Sequence, residues 1–291
     1  MMWVSSRHMN NVVAIADCMR SGWKARLELE FARREQATIL VRRKHSGPLC
    51  IQRPLYPEGK AVCHGIVLHP PGGIAGGDEL EVEIKIGSGA HALLTMPSAT
   101  KWYRSDAYPA RQKLVLRVDH GAVMEWLPQE SIVFDGAHAE MSNRIELARD
   151  AVFVGWDVLC LGRTARGETF TRGMLRMHTE LRREGKLVWL ERAVIPGASP
   201  LLHTAAGLAG HGVVGILLAA SDRLDADLLV ACREVGLAGG RSGVTLLPGL
   251  LVARYLGDSA EQARDYFTKI WHALRMPLTQ TAPMVPRIWN T

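Results

Sequence analysis

Residues 80–86 read Leu-Glu-Val-Glu-Ile-Lys-Ile, so that four aliphatic side chains alternate with three charged ones. Successive side chains of a β-strand point to opposite faces, and this alternation therefore predicts a strand with one buried and one solvated face. Gly87-Ser88-Gly89 follows as a turn and leads into a second apolar run over residues 90–95. The fold is thus expected to begin from strands joined by tight glycine turns.

The same two-residue period recurs along the chain in both directions. It predicts further strands, and residues 175–181 and 187–191 are expected to pair as a hairpin around a turn at 183–186. Glycines lie between these segments, and no repeat of fixed length is visible. We therefore expect a mainly β fold, either stacked sheets or an irregular, β-helix-like winding of many short strands. The other predicted strands are residues 37–41, 114–118, 123–127, 151–160 and 213–220.

The last third of the chain predicts a few helices. Residues 225–235 carry apolar side chains at helical spacing, and residues 259–275 form the clearest helical pattern in the chain. Asp258 is the predicted N-cap of that second helix, and Met276-Pro277 is its predicted end.

Two other C-terminal segments are predicted to be extended. Residues 246–256 contain Pro248-Gly249, which indicates a broken or edge strand. Residues 281–291 are expected to be extended and to dock through Trp289.

Composition and segment lengths bound the class of protein. Of the 291 residues, 47% are hydrophobic and 22% are charged, which is typical of a soluble globular protein. The longest apolar stretch, residues 213–220, is far shorter than the roughly 20 residues that a bilayer requires. No linker divides the chain, so we expect one domain over residues 22–291, preceded by a loose N-terminal extension over residues 1–21. That extension has too short an apolar patch for a secretory signal.

Charge and cysteine usage exclude other classes. The formal net charge is +6, but no run of five or more basic residues occurs, which argues against a nucleic-acid arm or a polybasic membrane tether. An acidic protein partner stays open as an alternative. Five cysteines without a C-x-x-C pair indicate reduced thiols, and we therefore expect a cytoplasmic protein.

The most distinctive run is Leu68-His69-Pro70-Pro71-Gly72-Gly73-Ile74-Ala75-Gly76-Gly77-Asp78. Proline fixes φ while glycine permits positive φ, so this run predicts a rigidly shaped turn. It lacks the Lys-Ser/Thr of a phosphate loop and the helix that follows a dinucleotide loop. Two interpretations stay open: a purely structural turn, or a polar pocket whose wall includes His69 and Asp78.

Two further runs carry charged side chains beside apolar ones. Lys101-Trp102-Tyr103-Arg104 has the composition of a base-stacking or protein-docking cluster, but a core Trp beside surface cations explains it equally well. Glu130 and Asp135 bracket an apolar segment. Five residues apart on an extended chain, they face opposite sides, so surface carboxylates are favoured over an acid–base pair.

Fixed catalytic and metal sites are poorly supported by the sequence. No G-x-S-x-G or H-E-x-x-H motif occurs, and Cys63 and His64, as strand neighbours, point to opposite faces. A weak nickel-binding set of nitrogen, oxygen and sulfur donors could still be assembled from Cys63, His69, Asp78 and other carboxylates. A metal-dependent hydrolase would need a ligand cluster that is not visible. From the residues alone, the chain is a β-rich binding protein without an obvious active site.

Several long runs, taken together and in order, resemble the UreD family of urease accessory proteins, called UreH in some bacteria. The resemblance covers residues 22–290. Ser98, Trp102 and Ser131 stand where Gly, Phe and Thr are usual, which are mild departures. The runs that carry the resemblance are 55–59 (LYPEG), Cys63-His64, 68–78 (LHPPGGIAGGD), 89–95 (GAHALLT), 99–105 (ATKWYRS), 127–137 (LPQESIVFDGA), Gly162-Arg163, Gly167-Glu168 and Arg172-Gly173.

The resemblance implies a urease maturation factor and not an enzyme. Proteins of this family form a scaffold with UreF and the GTPase UreG, which docks on apo-urease and delivers nickel, and they have a β-helix-like fold. No tightly bound cofactor is expected, only nickel in transit through a polar channel. The implied channel residues are Asp78, Glu130, Asp135 and Glu168, to which His69 and Cys63 are added as candidate donors; the candidate docking residues are Lys101, Trp102, Tyr103 and Arg104.

Overall fold

The computed structural model describes residues 22–106 and 108–290, so the predicted extension over residues 1–21 lies outside the described residues. The described residues form eighteen strands, two α-helices and short 3-10 turns. The elements in chain order are β1 (Lys24–Arg34), β2 (Ala37–Ser46), β3 (Cys50–Ile51), β4 (Val62–Leu68), β5 (Gly73–Ile74), β6 (Glu79–Ile86), β7 (His91–Thr95), β8 (Thr100–Trp102), β9 (Ala110–Val118), β10 (Val123–Leu127), β11 (Ser131–Val133), β12 (His138–Leu147), β13 (Val152–Leu161), β14 (Met174–Arg183), β15 (Lys186–Pro196), β16 (Val213–Ala220), α1 (Ala226–Arg233), β17 (Arg241–Leu247), β18 (Leu250–Gly257) and α2 (Ala260–Thr279).

The strands build two main sheets. Sheet 1 has the order β15-β14-β12-β9-β6-β1-β2, and sheet 2 has the order β17-β18-β16-β13-β10-β7-β4-β3. The central strands of both sheets run parallel, and antiparallel hairpins close their ends. Three short strands, β5, β8 and β11, form a separate parallel ladder beside β13.

The parallel pairing arises because the chain winds in coils. Each of two successive coils contributes one strand to sheet 1, one to sheet 2 and one short strand to the third ladder: β6-β7-β8 and then β9-β10-β11. The prediction of a mainly β, β-helix-like fold is confirmed. Successive coils begin at Glu79, Ala110, His138 and Met174, which are unevenly spaced, and this explains why the sequence shows no fixed repeat.

Two apolar layers hold the coils together. The alternation at residues 80–86 turns Leu80, Val82, Ile84 and Ile86 into the space between the sheets, where none is more than 4% exposed. On the other side of sheet 2, helix α2 buries Phe267, Ile270, Trp271 and Leu274, as its sequence pattern predicts. Sheet 2 is therefore covered on both faces, and its strands read as nearly continuous apolar runs.

The predicted ends of helix α2 are corrected by the structure. The N-cap is Ser259 and not Asp258, because the Ser259 side chain accepts from the Gln262 amide at 3.3 Å while Asp258 accepts from the Gly212 amide. At the other end the helix continues through Pro277 to Thr279. Arg223 donates to the carbonyl of Leu278, whose side chain is fully buried, and these contacts hold the last turn despite the proline.

The segment around Pro248-Gly249 is also corrected. It is the turn of a hairpin between β17 and β18, with Gly249 at a φ of 69°. β18 lies between β17 and β16, so it is an interior strand and β17 is the edge. The predicted docking of Trp289 is confirmed, since its indole Nε1 donates to Thr95 Oγ1 at 2.7 Å.

A largely buried ionic cluster joins helix α2 to sheet 2. The Arg275 guanidinium, 0% exposed, lies between the carboxylates of Glu125 on β10 and Glu58 in the loop before β4. Arg275 Nε donates to Glu125 Oε2 at 3.0 Å and Nη1 to Glu58 Oε2 at 2.5 Å. His91 and His64 lie 2.5 Å from Glu125 and Glu58, respectively. We refer to these five side chains as the buried cluster.

The charges of the buried cluster compensate one another. Burial alone would raise the pKa of Glu125, but the hydrogen bonds and charges of His91 and Arg275 outweigh it and hold the pKa at about 2. The pKa of Glu58 is lowered in the same way: burial would raise it, and the contacts with His64 and Arg275 lower it more. Removing one carboxylate therefore leaves a buried cation without its full compensation.

We predict that Glu125→Gln lowers the free energy of unfolding by about 3–5 kcal/mol at pH 7 because Arg275 loses a buried counter-charge. Because the folded pKa of about 2 lies below the ordinary value of 4.5, this advantage of the wild type is complete above about pH 5 and fades as the pH falls toward 2. Urea unfolding over this pH range measures the effect.

The matched control is Asp265→Asn, which breaks an exposed ion pair with Lys269 on the same helix. We expect the control to cost less than about 1 kcal/mol. Equal losses for the two variants would contradict a special role for the buried cluster.

Candidate functional site

The distinctive sequence motifs come together along one edge of the coils. Gly73 on β5, Lys101 on β8, Ile132 on β11 and Cys160 on β13 stand side by side in parallel register. The turns that follow these strands are stacked in the same order. We call this surface, made of residues 68–78, 99–105, 127–137 and 162–173, the motif edge.

The glycine-rich run forms the first turn of the motif edge, and Asp78 holds its shape. The Asp78 carboxylate accepts from the Ala75 amide at 2.8 Å and from the Trp23 amide at 2.7 Å. Gly77 has a φ of 91°, and a Cβ at Gly73 would lie 2.3 Å from the Tyr103 ring. These positions therefore need glycine, and Asp78 works first as a turn-locking residue.

His69 and Cys63 lie in different surroundings. Burial lowers the pKa of His69, partly opposed by the charge of Asp78, and its buried Nε2 has no hydrogen-bond partner among the described residues. Cys63 lies on β4, away from the motif edge, and is fully buried. Burial raises the pKa of its thiol, so the protonated form predominates at neutral pH, whereas metals bind the thiolate.

Asp135 and Glu168 lie side by side, and each carboxylate is paired with its own arginine. Asp135 accepts from the Thr171 amide at 2.7 Å and from Arg172 Nη2 at 2.9 Å. Glu168 is paired with Arg163 and accepts from the Asp135 amide at 3.2 Å. Burial would raise the pKa of Asp135, but hydrogen bonds from Arg172 and Thr171 lower it to about 2. Both carboxylates are therefore ionised and already paired at neutral pH.

Glu130 lies apart from that pair, in a cavity of about 730 Å³ between the motif edge and the start of helix α2. Its carboxylate is 3.1 Å from Arg264 Nε on the helix. Cys160 and Asp258 also line the cavity, and burial, together with the charge of Glu130, raises the pKa of the Cys160 thiol to about 12. The cavity is therefore lined by the Glu130–Arg264 ion pair and by the carboxylate of Asp258.

The four candidate docking residues, two on β8 and two directly after it, differ in their exposure. Trp102 is fully buried in the core between the sheets, so its side chain is not available to a partner, which corrects this part of the prediction. Lys101 and Arg104 are exposed, and Tyr103 is 37% exposed and packs edge-on against Phe134. Arg104 pairs with the exposed Asp106 at 3.1 Å.

The candidate channel residues therefore occupy four places: Asp78 beside His69, Glu130, the Asp135–Glu168 pair, and Cys63. Within residues 22–106 and 108–290, no group of three or more His, Cys, Asp or Glu side chains is arranged to hold a metal ion. In the same part of the chain, none of the helices combines the length and the apolar character needed to cross a bilayer.

Sequence reasoning missed the cationic partners Arg163, Arg172 and Arg264, and also the buried cluster. A signal for the cluster was present: Glu125 interrupts the apolar run Val-Met-Glu-Trp-Leu of β10. A lone charge within a strand buried on both faces indicates a buried counter-charge. The sequence does not show that the counter-charge comes from Arg275, because 150 residues separate the two.

Comparison with known proteins decides the family. The model of the family described as UreD urease accessory protein matches residues 24–290. The chain belongs to the UreD family. The urease accessory protein UreD of Azoarcus sp. strain BH72 is 52% identical over 93% of this chain and 95% of its own length. That of Nitrosococcus oceani is 48% identical over 96% and 94%, respectively.

Membership of the UreD family confirms the resemblance inferred from the motifs. It supports a role in urease maturation as an accessory protein, which implies that the chain works with urease and with other accessory proteins. The family match covers all four segments of the motif edge.

We predict that Asp135→Asn speeds amide hydrogen exchange at Thr171 and Arg172 severalfold at pH 7, because the neutral amide holds these donors less strongly than the carboxylate. The pKa of Asp135 is lowered to about 2, so a stability difference between the two proteins narrows as the pH falls from about 4 toward 2.

The control for this experiment is Asp106→Asn, which removes an exposed carboxylate paired with Arg104. Unchanged exchange in Asp135→Asn, or equal changes in both variants, would show that Asp135 does not anchor the turn.

Proposed function

We propose that this protein is a scaffold in urease maturation that binds UreF-type and UreG-type accessory proteins in the cytoplasm and docks with them on apo-urease. The observation that carries the proposal is that the family motifs line one edge of the coils. There Lys101, Tyr103 and Arg104 expose cationic and aromatic side chains on a rigid ladder. Such groups are common anchors of protein interfaces. GTP hydrolysis is assigned to the UreG-type partner.

We further propose that nickel passes along the carboxylates of the motif edge on its way to urease, as cargo and not as a resident cofactor. Asp78, Glu130, Asp135 and Glu168 each hold a backbone amide or an arginine. An arriving cation must compete with these partners, which keeps binding weak enough for release. Carboxylates along a polar path lower the electrostatic cost of moving a divalent ion.

The docking proposal predicts that Arg104→Glu weakens co-purification with the UreF-type partner or with urease, because reversed charge disfavours the encounter and the contact. Cells containing apo-urease, nickel and the partner proteins would be compared without this chain, with wild type and with the variant. Urease activity should need the chain and should fall severalfold with Arg104→Glu.

Lys44→Glu on β2 is the matched control, because Lys44 is an exposed cation outside the motif edge. Normal co-purification of Arg104→Glu would remove this residue as a contact. Equal urease activity without the chain would overturn the maturation role.

The nickel path is tested with the near-isosteric variants Asp78→Asn, Glu130→Gln, Asp135→Asn and Glu168→Gln. At least one should lower urease activation and bound nickel severalfold while the complex still assembles, because neutral amides stabilise a divalent cation less well. Glu140→Gln on β12 is the control carboxylate outside the motif edge. Normal activation by every variant in an intact complex would contradict the path.

A further inference from the structure

The outer face of sheet 1 contains a groove on the opposite side of the sheet from the core. The groove has a volume of about 880 Å³ and crosses strands β1, β6, β9, β12, β14 and β15. Its lining includes six Lys and Arg side chains but only three carboxylates, Glu79, Glu81 and Glu140. We call it the outer groove, and it shares no residue with the motif edge.

The carboxylates of the outer groove are all paired on one side of it. Glu79 and Glu140 both contact Arg111, and Glu81 contacts Lys113 at 2.8 Å. At the β14–β15 end of the groove, by contrast, two of the described arginine side chains are not paired. Arg176 and Arg192 form no ion pair with any residue in the described part of the chain, although both line the groove. Two cations are thus left uncompensated at one end.

The strand beside these cations is an open edge with an apolar strip. β15 pairs with β14 on one side, and no described strand pairs with its other side. Leu187, Leu190 and Val194 are 48%, 42% and 51% exposed. Leu190, Arg192 and Val194 are two residues apart and therefore share the outer face of the sheet. Proteins normally blunt such edges or use them for pairing.

We propose that β15 and the adjoining end of the outer groove bind an extended, acidic segment of a partner protein by strand addition. Main-chain hydrogen bonds would pair the segment with the open edge of β15. Alternate side chains of the bound segment would then lie opposite Leu190, Arg192 and Val194. The partner segment is therefore expected to have an apolar residue, an acidic residue and a second apolar residue at successive alternate positions. Arg176 supplies a second cation to the same partner carboxylates.

Charge complementarity favours an acidic partner over a second copy of this chain. Antiparallel pairing of two β15 strands would bring the Arg192 end of one strand toward the Lys186 end of the other. Lys186 is exposed and stands opposite Arg183 on β14, while the neighbouring Arg182 is paired with Glu180. Cations would then face cations, which disfavours the homodimer.

The test uses a fluorescein-labelled peptide matched to the eleven residues of β15, with Val and Glu alternating on one face and Thr on the other. Its binding to the full chain is measured by fluorescence anisotropy at low and high salt. We expect saturable binding that weakens with salt. Arg176→Glu with Arg192→Glu should weaken it by roughly tenfold or more. Arg43→Glu with Lys44→Glu on the opposite edge strand β2 should not.

Two altered peptides separate the parts of the proposal. N-methylation of alternate backbone amides should abolish binding because it removes the donors of strand pairing, and Lys in place of Glu should abolish it because the charges then repel. Equal binding of either peptide would overturn the proposal, as would absence of binding or insensitivity to the double charge reversal. If analytical ultracentrifugation showed a homodimer that depends on β15, the proposal of an acidic partner segment would be overturned in favour of self-association. No urease is present, so these outcomes are independent of the maturation role.

Discussion

The contact between Arg275 and the carboxylates of Glu125 and Glu58 is the constraint on which the rest of the structure depends. It joins the C-terminal helix, the middle of sheet 2 and the loop before β4, which are far apart in the chain. A buried ion pair is weak evidence for added stability, since apolar residues of equal volume often serve as well. Its value is positional: helix α2 can shift along sheet 2 only by leaving buried charges unpaired. The indole of Trp271, which donates to Glu125, fixes the same register.

Helix α2 covers one face of sheet 2, which leaves the motif edge and the outer face of sheet 1 accessible to partners. Two successive coils pass through both sheets and then through the short ladder, so residues separated by about one coil become neighbours at the motif edge. The carboxylates there hold the turns in shape: Asp78 and Asp135 both accept backbone amides. The same groups therefore give the edge its shape and its charge, and an activity assay alone cannot separate these effects unless the fold of each variant is measured as well.

The sequence predicted best what depends on local periodicity. The alternation at residues 80–86 and the apolar face of helix α2 follow from geometry that a few neighbouring residues determine. The helix ends were predicted less well: helix α2 continues past Pro277 to Thr279, where the Leu278 carbonyl accepts from Arg223, a residue 55 positions away that local patterns do not reveal. Trp102 shows the same limit. The run Lys101-Trp102-Tyr103-Arg104 has the composition of a docking cluster, but the alternation of side chains along the strand points the Trp102 side chain into the core. The family resemblance predicted a role in urease maturation, which the family match supports, whereas residue patterns alone indicated only a β-rich binding protein.

The formal charge of +6 does not by itself indicate where a partner binds, because some cations are paired with carboxylates and others are not. Those on β1, β6 and β9 are largely cancelled by carboxylates on neighbouring strands in the same register, as with Lys113 and Glu81. Such exposed ion pairs stabilise the sheet only slightly, and a paired cation attracts an acidic partner only weakly. Among the described residues, the cations that form no ion pair include Lys101 at the motif edge and Arg176 and Arg192 beside the open strand β15. The two proposed binding surfaces, the motif edge and the open edge of β15, share no residue, and each carries at least one cation that could attract acidic groups of a partner.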